Sequence, residues 1–229
     1  MQASTTARQL ARDGFARAGR IAGLGLGSGP DRPIRDVLAT PGPARELARS
    51  DPLRAMATTA LGRPAFPVRA NLFVKSARAD WFVGWHRDRV VAVRERHDVE
   101  GFSGWTVKAG LPHAVAPAAV LGGMIAIRVH LDPCGPDDGP LEVLPGSHRT
   151  DTDRAPDDAD GVAITAAVGE AVWMRPLLLH RSARSRSHAS RRVLHVEFAA
   201  EPLPLPLVWH YGPAAHDDAA RGDHPRPAR

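Results

Sequence analysis

Two hydrophobic periods divide the chain. Over residues 5–20, and again over about 43–60, apolar side chains recur at helical spacing, with Leu10, Ala11 and Phe15 in the first stretch and Leu47, Leu53, Met56 and Leu61 in the second. A glycine-bearing break at 23–33 separates the two. Within the second, Asp51-Pro52 marks a restart, because proline is tolerated only in the first helical turn. From Arg69 onward the period shortens to two. Runs at 69–74, 81–88, 119–131, 141–144, 171–180 and 191–198 read as strands, rich in aromatic and β-branched residues. The sequences Asp137-Asp138-Gly139-Pro140, Pro145-Gly146-Ser147 and Gly169-Glu170 punctuate them with turn chemistry. No strand–helix–strand alternation appears in this half, which argues against a parallel α/β sheet. The pattern predicts a mainly β sandwich or barrel, and the jelly roll is the version that most often houses a metal in its mouth.

The expected division is a helical N-terminal segment, 1–62, buttressing a β core of 63–210, followed by a disordered tail at 211–229. The long connection 90–117 carries Trp105, Lys108 and His113 and is expected to form a lid or substrate-binding insertion.

Composition narrows the function classes. At 229 residues the chain suits one sizeable domain, and 43% hydrophobic with 24% charged residues excludes disorder of the whole. The net charge of +5 comes almost entirely from arginine, with Lys75 and Lys108 the two lysines. These arginines are scattered beside acids, apart from a dense run at 181–192, so the pattern is not that of a nucleic-acid-binding face. The single cysteine, Cys134, precludes an internal disulfide and fits a reducing compartment. The apolar stretch 114–127 is interrupted by Pro117 and is shorter than the ~20 residues a membrane helix needs. A cytoplasmic location and no membrane association are expected.

Candidate chemistry begins at Trp81-Phe82-Val83-Gly84-Trp85-His86-Arg87-Asp88. Side chains alternate along a strand, so His86 and Asp88 share a face while Arg87 points away. One imidazole and one carboxylate make two thirds of the 2-His-1-carboxylate arrangement that holds non-haem Fe(II). His180, closing the apolar run 171–180, is the best candidate for the third ligand. His97 and His113 lie in the long connection, His148 follows a turn, and His188 and His210 sit in polar or proline-rich surroundings. His130 and His195 lie on strands and are alternatives, as ligands or as supporting groups. Beyond His180, Arg191 opens the next strand, where its planar guanidinium could grip a carboxylate in a bidentate fashion.

These pieces together resemble the phytanoyl-CoA dioxygenase family of Fe(II)- and 2-oxoglutarate-dependent oxygenases. The matching stretches are Trp85-His86-Arg87-Asp88, Arg128-Val129-His130-Leu131-Asp132, Gly139-Pro140-Leu141-Glu142-Val143-Leu144-Pro145-Gly146-Ser147-His148, Arg175 through Ser182, and Arg191 through Phe198, in family order. The resemblance implies a double-stranded β-helix, cupin-like, with Fe(II) held by His86, Asp88 and His180. It implies Arg191 on the distal carboxylate of 2-oxoglutarate with Ser182 beside it, and contributions from Asn71, Lys75 and Arg128. O₂ would be the second cosubstrate, with succinate and CO₂ as coproducts. Related halogenases replace the carboxylate ligand by a small residue, whereas Asp88 is intact here, which points to hydroxylation of a small organic molecule, or another oxidation that follows hydrogen abstraction. A metal-dependent jelly roll that uses no 2-oxoglutarate, or a binding module that has lost turnover, remain the alternatives at this stage.

Overall fold

The computed structural model describes residues 2–21, 31–77, 79–150, 161–187 and 189–213. In chain order the helices are α1 (Gln2–Asp13), α2 (Pro43–Ala48), α3 (Asp51–Leu61) and α4 (Ala118–Gly122). The strands are β1 (Phe15–Arg20), β2 (Phe66–Lys75), β3 (Val83–His86), β4 (Val90–Ala92), β5 (Ser103–Lys108) and β6 (Leu111–Val115). They continue with β7 (Met124–His130), β8 (Leu141–Val143), β9 (Val162–Ile164), β10 (Glu170–Met174), β11 (His180–Ser182) and β12 (Arg191–Ala199).

Three antiparallel sheets result: a five-stranded sheet β1-β10-β7-β12-β2, a four-stranded sheet β3-β11-β8-β9 and a small sheet β4-β6-β5. Alternation in β12 explains how the larger sheet serves two interiors. Leu194, Val196 and Phe198 join Leu72, Ile127, Val129 and Trp173 in a core covered by Leu10 of α1 and Leu53 and Ala57 of α3. The opposite faces of β7 and β10 present Ala126, Val172 and Met174 to Leu141, Val143 and Ile164 of the four-stranded sheet. Two facing sheets over one interior, with helices outside, form the jelly roll that the strand pattern predicts and the double-stranded β-helix that the resemblance implies.

Several boundaries differ from expectation. The first helix stops at Asp13, because Gly14 adopts φ 81° and its N–H closes on Leu10 O at 2.9 Å. Phe15 to Arg20 is then a strand at the edge of the five-stranded sheet, so the N-terminal segment supplies part of the core as well as its cover. The helical break inside 43–60 falls at Ser50, ahead of Asp51-Pro52, as expected. The run 119–131 begins as the short helix α4 and becomes β7 only at Met124. The run 171–180 is two strands in different sheets, parted by a turn at Pro176, which has no N–H for a ladder. The connection 90–117 is largely the small sheet, seated on an apolar cluster of Val91, Val93, Phe102, Ala114, Leu121 and Trp209. Most of the expected disordered tail lies outside the described residues. No helix among the described residues is long and apolar enough to cross a membrane.

Candidate active site

The site is built where β3 and β11 pair. His86 and His180 are direct cross-strand partners, with ring centroids 4.1 Å apart. Asp88, just past β3, is held by its backbone N–H on Pro176 O at 2.9 Å. Between the two, Arg87 turns to the opposite side and is buried there. It donates to the carbonyls of Ser147 and Thr150, each at 3.0 Å, and of Leu177. That arginine ties the end of β3 to the turn that follows β8.

His86 Nδ1 donates to Gly84 O at 2.8 Å and His180 Nδ1 to Leu178 O at 2.9 Å. Each ring therefore spends its proton on its own strand and turns the lone pair of Nε2 inward. Those Nε2 atoms lie 3.9 and 3.6 Å from Asp88 Oδ1 and Oδ2, and the three candidate ligand atoms fall within 4.8 Å of one another. Burial pushes the His180 imidazole down to about 4, with His86 and Arg128 adding to the effect and Asp88 opposing it. The ring is thus a neutral ligand at pH 7. Burial alone would raise the Asp88 carboxyl, but His180, His195, Arg69 and His86 outweigh it and hold it well below the usual carboxylate range. Two imidazoles with inward Nε2 lone pairs and one carboxylate fit the donor set of a non-haem Fe(II) site.

These groups line a cavity of about 170 Å³. The same cavity also has a cationic lining. Arg191 is 4% exposed, with Nη1 3.5 Å from Cys134 Sγ and Nε without a hydrogen-bond partner among the described residues. Lys75, 1% exposed, donates to Ser182 Oγ at 3.0 Å and to Ala183 O, and lies 5.6 Å over the Trp81 ring. Burial, reinforced by Arg191, pushes the Lys75 ammonium down to about 8. Arg128 lines the same cavity, and burial followed by Arg191 lowers it to about 10.

Not every residue singled out from sequence joins this cavity. Asn71 lines a larger neighbouring chamber of about 420 Å³ instead. It shares a face of β2 with Lys75 but sits four residues back, about 13 Å at ~3.3 Å per residue, too far to help hold an anion at Arg191. Lys108 and His113 also line the larger chamber. Trp105 lines neither; it packs on the apolar cluster beneath the small sheet, with Arg96 5.5 Å above its ring. His188 lies outside the described residues. Several members of the arginine run 181–192 are paired with acids. Arg181 pairs with Glu142 and Arg192 with Asp132, each at 2.8 Å, while Arg186 pairs with Asp137.

Sequence reasoning missed Arg69, Phe73 and Trp81, which line both cavities, and Glu197. Glu197 is 3% exposed and bridges to Arg69 at 2.9 Å. A signal was present, since the inward phase Arg191, Val193, His195, Glu197 ends on an acid within an otherwise apolar strand end.

A jelly roll whose mouth carries His-x-Asp, a distal histidine and a buried arginine defines the class of cupin-like metal-dependent oxygenases. The chain belongs to the phytanoyl-CoA dioxygenase family, whose model matches residues 35–193. Among solved structures it is similar to EvdMO1, at 22% identity and TM-score 0.65, covering 88% of this chain and 50% of that one. It is similar to AviO1 from Streptomyces viridochromogenes Tue57, at 23% identity and TM-score 0.61, covering 88% and 97%. A third likeness is to HygX from Streptomyces hygroscopicus with nickel and 2-oxoglutarate bound, at 14% identity and TM-score 0.60, covering 85% and 86%. The chain thus spans half the length of EvdMO1 and nearly all of AviO1. At these identities the likenesses establish the fold. A comparison with curated protein sequences found no significant match.

Proposed function

We propose that this protein is an Fe(II)- and 2-oxoglutarate-dependent oxygenase that hydroxylates a small organic molecule. The observation that carries the reading is one cavity lined both by His86, Asp88 and His180, whose ligand atoms converge, and by the buried cations Arg191 and Lys75, with Ser182 hydrogen-bonded to Lys75. A dicarboxylate with a keto group at one end suits that lining. Its distal carboxylate would take the guanidinium fork of Arg191, assisted by Lys75 and the Ser182 hydroxyl. Its keto-acid end would then reach the metal held by the three ligands. When bound, Fe(II) supplies the activation of O₂ that couples decarboxylation of 2-oxoglutarate, to succinate and CO₂, to oxidation of a C–H bond.

The protein's own work is to orient and to exclude water. Phe73, Trp81 and Arg69 form a wall common to the cosubstrate cavity and the 420 Å³ chamber, which is of the size that small-molecule ligands occupy. The chamber is the proposed substrate site, with Lys108 and His113 of the small sheet in its lining. HygX with hygromycin B bound, and the epimerase SnoN in complex with nogalamycin RO, are two similar folds with small molecules bound. That supports a substrate of comparable kind. Asp88, where a halogenase would have a small residue, supports hydroxylation.

The test is anaerobic addition of Fe(II) and 2-oxoglutarate, which should give a weak visible charge-transfer band, followed by air, which should give succinate. No band at saturating metal, or succinate formed equally without O₂, would remove the assignment.

A further inference from the structure

The carboxylate of Asp88 faces three imidazole edges, with Nε2 of His86, His180 and His195 at 3.9, 3.6 and 3.8 Å. The first two present lone pairs, because both have given their Nδ1–H to backbone carbonyls. The third is the other way round. Arg128 Nη1 lies 3.1 Å from His195 Nδ1, and a guanidinium can only donate, so that nitrogen carries no hydrogen. The ring's N–H is therefore on Nε2, between Asp88 Oδ2 at 3.8 Å and Glu197 Oε1 at 3.4 Å.

This assignment has an immediate consequence. His195 cannot offer Nε2 to a metal, so the grouping of Asp88, His195 and Glu197 is not a second metal site, although its atoms are equally close. The N–H has another use. We propose that His195 is a positioning residue for Asp88, with Arg128 setting its tautomer. The His195 N–H takes the carboxylate oxygen that the metal does not, so that Asp88 presents its other oxygen between His86 and His180. The inference rests on the metal reading given above. Glu197 Oε1, the nearer acceptor at 3.4 Å, competes for the same N–H, and Arg69 supplies that acid with a cation 2.9 Å away. Arg128, His195 and Glu197 are 8%, 2% and 3% exposed, so water is not there to correct a misdirected carboxylate.

The test is metal affinity without turnover. Dissociation constants for Co(II) and Fe(II) are measured anaerobically on the full chain, by competition with a chromophoric chelator. His195→Leu removes the N–H, whereas His195→Gln keeps both an amide N–H and an acceptor for Arg128. Groups that orient metal ligands in this way are worth about 10- to 100-fold in affinity. The Leu variant should bind at least about tenfold more weakly than the parent, and the Gln variant within about threefold of it. Arg128→Leu leaves His195 in place but frees its tautomer, and should also weaken binding about tenfold. Parent-like affinity in the Leu variant overturns the proposal. So does equal weakening by Leu and Gln, which would mean packing and not the N–H matters. Should His195→Leu fail to fold, parent-like affinity in Arg128→Leu overturns it instead. A parent that binds no better than His86→Ala would sink the metal reading first, and is recognised by that comparison.

Discussion

Substituting the two adjacent arginines at the start of β12 separates a cosubstrate role from general damage. Arg191 faces the cavity at 4% exposure, while Arg192 faces away and donates from Nε and Nη2 to Asp132, each at 2.8 Å. Losing a charge-assisted contact in a desolvated site costs about 1.5–3 kcal/mol, or roughly tenfold to a hundredfold in affinity. Arg191→Leu should show that loss in the 2-oxoglutarate dissociation constant, measured by anaerobic Fe(II) titration with iron content checked. Arg191→Lys keeps the charge without the planar fork and should fall between Leu and the parent. Arg192→Leu should leave 2-oxoglutarate affinity nearly unchanged while losing about 1–2 kcal/mol of stability, since Asp132 keeps the backbone N–H of residue 192 but loses its guanidinium partner. The pair also makes a pH prediction. Burial and then Arg191 hold Lys75 at about 8, so parent affinity should fall as pH rises through that value and Lys75 loses its charge. Removing Arg191 removes a positive neighbour, raises the Lys75 pKa and should move that fall to higher pH. Equal affinity losses at both arginines would show diffuse anion binding, and a larger loss at Arg192 would put the strand register off by one.

The ligand set is checked by metal content: His86→Ala, Asp88→Ala and His180→Ala should each lose most bound iron, whereas His148→Ala, whose Nε2 sits 3.2 Å from Ala11 O, should retain it. Acid stability should depend on His130, which burial, then Arg128, Arg191 and Arg17, push down to about 3. The unfolded chain binds that proton from about pH 6.5 downward and the folded chain does not, so stability falls as pH drops between those values. Denaturant melts at pH 7 and pH 5 should show a smaller difference for His130→Leu than for the parent; an equal difference would refute the assignment. Arg87→Leu leaves the carbonyls of Ser147, Leu177 and Thr150 without their buried donor and should cost about 2–4 kcal/mol, with weakened metal binding as the end of β3 loosens.

What was legible in sequence follows from how local each feature is. His86 and Asp88 share a face because of the two-residue period alone, and Arg191 and Arg192 oppose each other for the same reason, so neither needed tertiary information. The first helix was read too long because Ala, Arg and Leu favour helix up to Arg20, whereas pairing with β10 decides for strand once Gly14 has turned the chain. The run 171–180 looked continuous because its apolar residues are continuous; that Pro176 carries the chain from one sheet to the other is a property of the facing sheets.

The same distinction explains the site's least legible part. Asn71, His195 and Arg128 are register partners across β2, β12 and β7, and Glu197 pairs with Arg69 only because β12 and β2 run antiparallel at this offset. Each of these residues alone is an ordinary polar residue on a strand. Only the pairing of three strands, distant in sequence, brings Arg128 onto His195 Nδ1 and turns the imidazole N–H toward Asp88. The proposed choice of His180 over His195 as third ligand, open in the sequence, therefore rests on which nitrogen carries the proton, and that depends on the neighbouring strand.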